Sequence, residues 1–332
     1  MTQGTDTSFC AFGAKTLIKY LTKITKDLEN VRDNSPEDPE YVHQMRIASR
    51  RLRSALPLFR DCFTHNALQR WSREIKRITR FLGKARDTDV QLLFLEEKMK
   101  ELPDPAFLWG IQRLHLRLSQ KRQTLQAEIV RGLDHFNKSD LAVDMLDTLR
   151  PLLGKAALEK TPERSPSIYR VASEIGRTCM ADVISYDSLI RDPRNITELH
   201  ELRKSNKRLR YTLEFFAGFF DNKLEPFIEQ VREIHSLLGE IHDCDVWKDL
   251  LPLFLEEEAE RALEYCGNTR PMTKIRRGID FLLEERTALR DKLYGDFIVI
   301  WDQNHETAFW DDLEKTLLQG MKNGIPEDPS GP

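Results

Sequence analysis

Two segments of the chain, 157 positions apart, each place one histidine and three cations at successive spacings of three, four and three residues. These spacings return to one face of an α-helix, so each segment predicts a helix with a cationic stripe. Stacked like charges repel one another unless an anion lies beside them, and arginine suits bidentate contacts with phosphate oxygens. The two stripes therefore predict a site for a phosphate-rich anion. Their residues are His43, Arg46, Arg50 and Arg53, and His200, Arg203, Lys207 and Arg210.

A single stripe of this kind is usually a solvated helix face, and a single histidine is usually a packed or surface residue. The duplication favours a binding site, since surface charge would rarely keep four aligned positions in both copies. A histidine at the head of each stripe can hydrogen-bond to a phosphate oxygen, which predicts tighter binding at mildly acidic pH.

The repeat also separates binding residues from surface charge. Aligning Gly83 with Gly239 pairs a further basic stripe with mostly acidic positions, so we expect that stripe to face solvent. Lys76 keeps a cationic counterpart in Arg232, and both are candidate binding residues. The rejected positions are Arg73, Arg77, Arg80 and Lys84, opposite Glu229, Glu233, Ser236 and Glu240.

A second shared motif follows each of these glycines. Arg86 and His242 occupy the same position in its two copies and could project into the central space. The aspartates after them predict N-caps or first-turn acids of a following helix. A metal site at His242, Asp243 and Asp245 is disfavoured, because the first copy replaces the histidine with arginine, which does not ligate metals.

Helical periodicity dominates the sequence and predicts an all-α protein. Gly83 and Gly239 are predicted helix ends, and Pro57 predicts a bend in the first stripe helix. The predicted helices are Phe9–Val31, Val42–Phe63, Leu68–Leu82, Asp89–Lys100, Phe107–His135, Asp140–Leu149, Ser167–Tyr186, Leu199–Phe220, Asp221–Leu238, Val246–Tyr265 and Lys274–Asn304.

The duplication predicts two helical repeats, over residues 9–153 and 166–322. A linker at 154–165 joins them, and a disordered tail follows at 325–332. The two repeats should pack about a pseudo-two-fold axis. If the stripes face that axis, they converge into one basic channel.

The composition is that of a globular protein rather than a general polycation. The net charge of the 332 residues is only −3, whereas residues 41–90 hold twelve Lys and Arg against four Asp and Glu. The five cysteines are odd in number and lack CxxC spacing, which argues against a disulfide framework and fits a reducing compartment. No secretory signal or membrane-spanning segment is recognised, so a cytoplasmic location is expected. The cysteines are Cys10, Cys62, Cys179, Cys244 and Cys266.

No catalytic constellation accompanies the stripes. The sequence has neither a GxxxxGKS loop nor an HExxH pair, and no carboxylate cluster is placed to hold magnesium for phosphoryl transfer. We therefore expect no catalytic residues, metal or cofactor. The stripes lack interleaved aromatics for base stacking, which disfavours nucleic acid as a partner. The open alternative is an enzyme or regulator acting on polyphosphate or another phosphate-rich substrate.

Four motifs together resemble the CHAD domain (conserved histidine α-helical domain). They are HxxRxxxRxLR from His43, HxLRKxxKRLR from His200, LGxxRDxDV from Leu82 and LGxxHDxDV from Leu238. The resemblance covers residues 9–325 and implies two antiparallel four-helix bundles around a basic central channel. It also implies binding of inorganic polyphosphate by the eight stripe residues, and association with polyphosphate granules.

Two features set this chain apart within the resemblance. The ExExK strand motif of the CYTH triphosphatase domain, which many relatives carry, is not found, so the chain looks like a stand-alone binding module. His242 stands where the resemblance leads us to expect an arginine, which predicts weaker or pH-dependent binding at that end of the channel.

Overall fold

Helices make up nearly all of the part of the chain that the computed structural model describes, residues 6–33, 38–161 and 164–323. No β-strand occurs in these three ranges, and the predicted all-α class is confirmed. The tail predicted at 325–332 lies outside the described residues. The helices are α1 Thr7–Lys26, α2 Leu28–Asp33, α3 Pro39–Ala55, α4 His65–Lys100, α5 Leu108–Lys138, α6 Leu141–Glu159, α7 Pro166–Ile184, α8 Ile196–Phe216, α9 Glu225–Cys266, α10 Met272–Glu306 and α11 Phe309–Asn323.

The order of helices repeats between the two halves of the chain. Helices α1, α3, α4, α5 and α6 correspond in order and in packing neighbours to α7, α8, α9, α10 and α11. Over the described residues, each half thus holds one long helix more than the four-helix bundle that the resemblance implies. The short α2 belongs to the first half alone.

The predicted helix ends at Gly83 and Gly239 are wrong, because α4 and α9 run through these positions without a break. Glycine inside a helix costs only about 0.5–1 kcal/mol relative to alanine, which burial of the flanking apolar residues offsets. Asp89 and Asp245 consequently lie in mid-helix and are not N-caps.

Two further boundaries differ from the sequence prediction. The first stripe helix does not bend at Pro57: α3 ends at Ala55, and a 3₁₀-helix follows over Leu56–Cys62. The linker expected at 154–165 is helical as far as Glu159, where α6 ends. The five residues after Gly154 are Lys-Ala-Ala-Leu-Glu, all good helix formers, and they extend the helix past the glycine that was expected to break it.

A disulfide joins Cys10, in α1, to Cys62, at the end of the 3₁₀-helix. The expectation that the cysteines form no disulfide is therefore wrong. The two residues are 52 positions apart, and only the packing of α1 against the segment after α3 brings them together. The argument from cysteine usage for a reducing compartment no longer holds.

Two apolar clusters hold the helices together. The larger contains buried residues of both halves, including Trp71 and Trp301. The smaller, here called the distal cluster, forms where the far ends of α4, α5, α9 and α10 meet. Its buried residues are Leu95, Ile111, Leu114, Leu118, Trp247, Leu251, Phe254, Leu255, Met272, Ile279 and Leu282. The halves therefore meet a second time, away from the larger cluster.

Helices α5 and α10 cross closely at a pair of glycines beside the distal cluster. A Cβ atom on Gly110 would lie 2.2 Å from the Ile275 carbonyl oxygen, and one on Gly278 would lie 2.1 Å from that of Phe107. Each glycine thus faces the residue that precedes the other glycine by three positions. This reciprocal contact is what the predicted pseudo-two-fold relation would produce locally.

We expect Gly110→Ala to lower the free energy of unfolding by about 1–3 kcal/mol, because the added methyl group overlaps a backbone oxygen. Gly154→Ala is the matched control, since a Cβ there meets open space within α6. It should raise stability by roughly 0.5–1 kcal/mol through helix propensity alone. Urea unfolding followed by circular dichroism measures both variants, and equal destabilisation by the two would contradict the crossing geometry.

Candidate anion-binding site

The two stripes lie on helices from different halves that pack together, α3 and α8. An ion pair between Arg51 of α3 and Glu214 of α8 joins the helices, and both side chains are largely buried. The Arg51 guanidinium also lies 4.2 Å from the ring centroid of Tyr211. This contact of charge and aromatic ring fixes α3 beside α8, so that the stripes adjoin across the interface.

Lys207 marks the meeting point of the stripes. Burial lowers the pKa of its amine to about 7, helped by the positive charges of Arg50, Arg203, Arg53 and Arg46. Three of these arginines belong to α3 and one to α8, so positive charges from both halves act on one amine. We call these five residues the cationic cluster.

Several donors near the cluster are buried but unused. The Nε atoms of Arg46 and Arg203 have no hydrogen-bond partner among the residues described, and neither has Nδ1 of His235. Arg46 does donate from Nη2 to Asp87 Oδ1 at 3.1 Å, at the exposed edge of the site. A buried donor left unpaired costs about 1–3 kcal/mol, and an anion that accepts from these groups would remove that cost.

The glycines of the shared motif lie directly beneath stripe arginines. A Cβ on Gly83 would lie 3.6 Å from Arg46 Nε, and one on Gly239 would lie 3.8 Å from Arg203 Nε. These are ordinary contact distances, so a side chain longer than alanine would enter the space that the arginine occupies. The same relation in both halves explains why a glycine stands in the middle of each long helix.

His235 belongs to the site although the sequence did not single it out. Burial and the charges of Arg210 and Arg203 lower its pKa to about 3, so the ring is neutral at pH 7. It precedes Gly239 by four residues and His242 by seven, which is one helical face. That spacing is the signal that could have found it.

The second stripe histidine is held in a buried polar network. His200 Nε2 lies 3.1 Å from Asp245 Oδ2 and 3.0 Å from His242 Nδ1. Arg290 of α10 donates from Nε to Asp245 Oδ1 at 2.5 Å, and from Nη2 to the carbonyl of Pro193 at 2.9 Å. Burial lowers the pKa of His242 to about 4, with Arg203 and His200 adding to the effect. His242 is therefore neutral at pH 7.

The first half repeats only part of this network. Arg122 of α5 donates from Nε to Asp89 Oδ1 at 2.6 Å, as Arg290 does to Asp245. His43 lies beside Arg86, whose charge adds to burial in lowering the histidine pKa. The motif aspartates thus anchor arginines of the following helices, which the sequence did not reveal.

The remaining predicted residues lie nearer the surface. Lys76 and Arg232 are exposed, and Arg232 approaches Glu214 at 3.9 Å. Arg210 is partly buried, with its Nε 3.6 Å from the same Glu214 carboxylate. The rejected stripe is exposed, as predicted, with Lys84 paired to Glu128 of α5 at 3.1 Å.

In the described part of the chain, no group of three or more histidine, cysteine or acidic side chains is placed to hold a metal ion. None of the described helices is long and apolar enough to cross a membrane.

The helical architecture and the duplicated motifs define a CHAD domain. The sequence matches the CHAD domain family over residues 15–252, which is more than half of the chain, and the protein belongs to this family.

Two solved structures share the fold. The crystal structure of the CHAD domain from the plant Ricinus communis is 22% identical, with a TM-score of 0.63 over 90% of this chain and 91% of that one. PptA from Streptomyces chartreusis is 12% identical, with a TM-score of 0.53 over 88% of this chain and 99% of that one.

Part of the chain is also similar to curated 1,4-alpha-glucan branching enzymes. The 1,4-alpha-glucan branching enzyme GlgB of Shewanella sp. (strain W3-18-1) is 32% identical over 154 residues, 44% of this chain and 17% of the enzyme. GlgB of Shewanella baltica (strain OS155 / ATCC BAA-1091) is 29% identical over 160 residues, 46% of this chain and 19% of the enzyme. The aligned stretch is less than a fifth of each enzyme's length.

We expect Asp245→Asn to lower the free energy of unfolding by about 3–5 kcal/mol, because it leaves the buried Arg290 without its counter-charge. Asp182→Asn is the control, since it removes a carboxylate from an exposed pair with Arg208. That change should stay within about 0.5 kcal/mol of wild type. Thermal and urea unfolding provide the comparison, and a near-neutral Asp245→Asn would show that the network does not anchor α10.

Proposed function

We propose that the cationic cluster lines a channel that binds inorganic polyphosphate without catalysing its turnover. The observation that carries the proposal is the convergence of cations from both halves on the partly buried Lys207, beside the unused Nε donors of Arg46 and Arg203. Such a cluster is unfavourable when empty, because the like charges repel one another in a partly buried setting. A polyanion would offset this repulsion and accept hydrogen bonds from the unused donors.

The extent of the stripes supports a chain of phosphates rather than one phosphate. His43 and Arg53 are ten residues apart, a distance of about 15 Å along α3. A linked phosphate chain could contact cations at several successive turns, whereas orthophosphate could reach only a few. Family membership supports the same ligand. Within this proposal the protein associates with polyphosphate granules in the cytoplasm, a location that rests on the proposed ligand and not on the cysteines.

The first test removes one central arginine from each half. Each charge-assisted contact is worth about 1.5–3 kcal/mol, so Arg46→Gln/Arg203→Gln should weaken polyphosphate binding by roughly a hundredfold or more. Arg73→Gln/Arg77→Gln is the matched control, because it removes the same charge from the exposed stripe. Isothermal titration calorimetry with a polyphosphate of defined length gives both affinities, and circular dichroism checks that the variants remain helical.

Equal affinities for the two double variants would reject the assignment of the site. Release of orthophosphate during incubation with polyphosphate and divalent metal ions would instead contradict the non-catalytic role and favour a phosphate-metabolising enzyme.

The amine of Lys207 should make binding pH-dependent. A bound polyanion favours the ammonium form, so the pKa of Lys207 rises from about 7 on binding and a proton is taken up. The contribution of Lys207 to the affinity should therefore be level below pH 7 and fall as pH rises above it, by up to about tenfold per pH unit. Lys207→Arg should remove this component, because arginine stays charged. Subtracting the Lys207→Arg profile from the wild-type profile removes the effect of ligand titration. Parallel profiles would show that the Lys207 amine does not cause the pH dependence.

A further inference from the structure

A groove of about 890 Å³ lies between α1, the last turns of α6 and the 3₁₀-helix Ala217–Phe219 that follows α8. This volume falls within the range of small-molecule sites, about 300–1,000 Å³. The walls of the groove come from both halves of the chain, but none of its described lining residues belongs to the stripes. The proposed polyphosphate site therefore leaves this groove unexplained.

Apolar side chains from three segments line the groove. Phe12 of α1 packs edge-to-face against Phe219, with ring centroids 4.8 Å apart, and Phe215 of α8 also lines the groove. Leu153 and Ala156 of α6 add aliphatic surface. All five side chains remain partly exposed. A contiguous apolar surface that stays open to solvent is typical of a binding site rather than of a completed core.

The charged residues that line the groove are all basic. Lys15 and Lys19 lie one turn apart on α1, and neither forms an ion pair within the part of the chain that the structure describes. Arg164 is already engaged, because its Nη2 donates to Asp221 Oδ1 at 2.8 Å and to the Gly218 carbonyl at 3.3 Å. Like charges one turn apart repel each other. The two lysines are therefore the cations that an anion could join.

The second half does not repeat this surface. When the buried positions of α1 and α7 are aligned, Arg170 and Glu174 stand where α1 has Ala11 and Lys15. Arg170 and Glu174 form an ion pair with each other at 3.4 Å. The surface that is small and cationic on α1 is thus filled and neutralised on α7. The groove is consequently not a requirement of the architecture that the two halves share.

The shape of the groove favours an elongated ligand. The lining residues of α1 recur at alternating steps of three and one, which is one helical face, from Ser8 to Lys19. This face extends over about 16 Å. The two lysines lie toward one end of it, and Phe12 lies toward the other. A ligand with an anionic head and an apolar tail of about this length would match both ends.

We propose that the groove binds a medium-chain fatty acid, with the carboxylate at Lys15 and Lys19 and the acyl chain along the apolar residues. Apolar burial supplies most of the affinity, and the exposed lysines supply the preference for an anion. Polyphosphate does not suit this groove, because it is charged along its whole length and would place phosphates against Phe12 and Leu153. The inference is independent of the proposed function.

The test titrates the full chain with decanoate, decanol and decyltrimethylammonium, each below the concentration at which it aggregates. Isothermal titration calorimetry measures the affinities, and native mass spectrometry counts the bound molecules. One decanoate should bind per chain, more tightly than decanol, and the cationic ligand should bind most weakly. Added salt should weaken the binding of decanoate but not that of decanol, because it screens only the charged head.

A pair of charge variants tests the lysines. Lys15→Gln/Lys19→Gln should weaken decanoate binding roughly tenfold and leave decanol binding unchanged, since exposed charge pairs are individually weak. Lys23→Gln/Lys26→Gln is the matched control, because it removes the same charge from the same helix outside the groove.

A pair of size variants tests the apolar wall. Ala157→Trp places a large ring in the groove and should weaken decanoate and decanol alike. Leu158→Trp is its control, because Leu158 is 87% exposed and does not line the groove. Circular dichroism checks that all variants remain helical.

Equal affinities of the wild-type chain for decanoate and decanol would overturn the proposal, as would equal effects of a variant and its control. Binding to phosphatidylglycerol vesicles without one-to-one binding of decanoate would also overturn it, in favour of a membrane surface. Tripolyphosphate should not displace decanoate. Displacement would show that both ligands share one site and would reject the groove.

Discussion

Repulsion among the cations that meet between α3 and α8 is the constraint around which the surrounding contacts are arranged. Burial lowers the pKa of the Lys207 amine, and the guanidinium groups of both helices lower it further. Left alone, this repulsion would push the two halves apart. It is opposed beside the cluster by the ion pair of Arg51 with Glu214, and by the stacking of Arg51 on Tyr211.

Apolar packing on both sides of the cationic cluster also opposes the repulsion between the two halves. The larger cluster spans the two halves, and the distal cluster joins the far ends of four long helices. The close crossing at Gly110 and Gly278 adds a contact that few other residues could make. The cations are thus held in place by packing away from the stripes, so a ligand of the proposed site would meet donors that are already positioned. Such preorganisation lowers the ordering cost of binding.

Much of this arrangement could be predicted from the sequence because it depends on periodicity. Stripe spacing placed Arg46 and Arg203 on one face of each helix, and duplication indicated that the faces meet. Rules based on neighbouring residues failed where packing between distant segments determines the helix boundaries. A glycine usually marks a helix end, yet Gly83 continues a helix because packing holds its neighbours and an arginine lies across it.

Other features depend on partners that lie far apart in the chain. Arg122 and Arg290 meet the motif aspartates through helix packing, and Cys10 meets Cys62 in the same way. His235 was missed for another reason, since its counterpart in the first half is Thr79. Aligning the two sequence repeats rejects any candidate binding residue that is present in only one of them.

The unbroken course of α4 and α9 has a mechanical consequence. Each helix passes beneath a stripe arginine and continues into the distal cluster, over 36 and 42 residues respectively. Neither helix breaks at its glycine, so the segment beneath the arginine and the segment in the distal cluster belong to one continuous helix. Moving either helix as a whole to separate the stripes would also require Trp247 and its neighbours in the distal cluster to repack. In the proposed channel, the space left for a polyanion would thus depend on the packing of the distal cluster as well as on the residues beside the ligand.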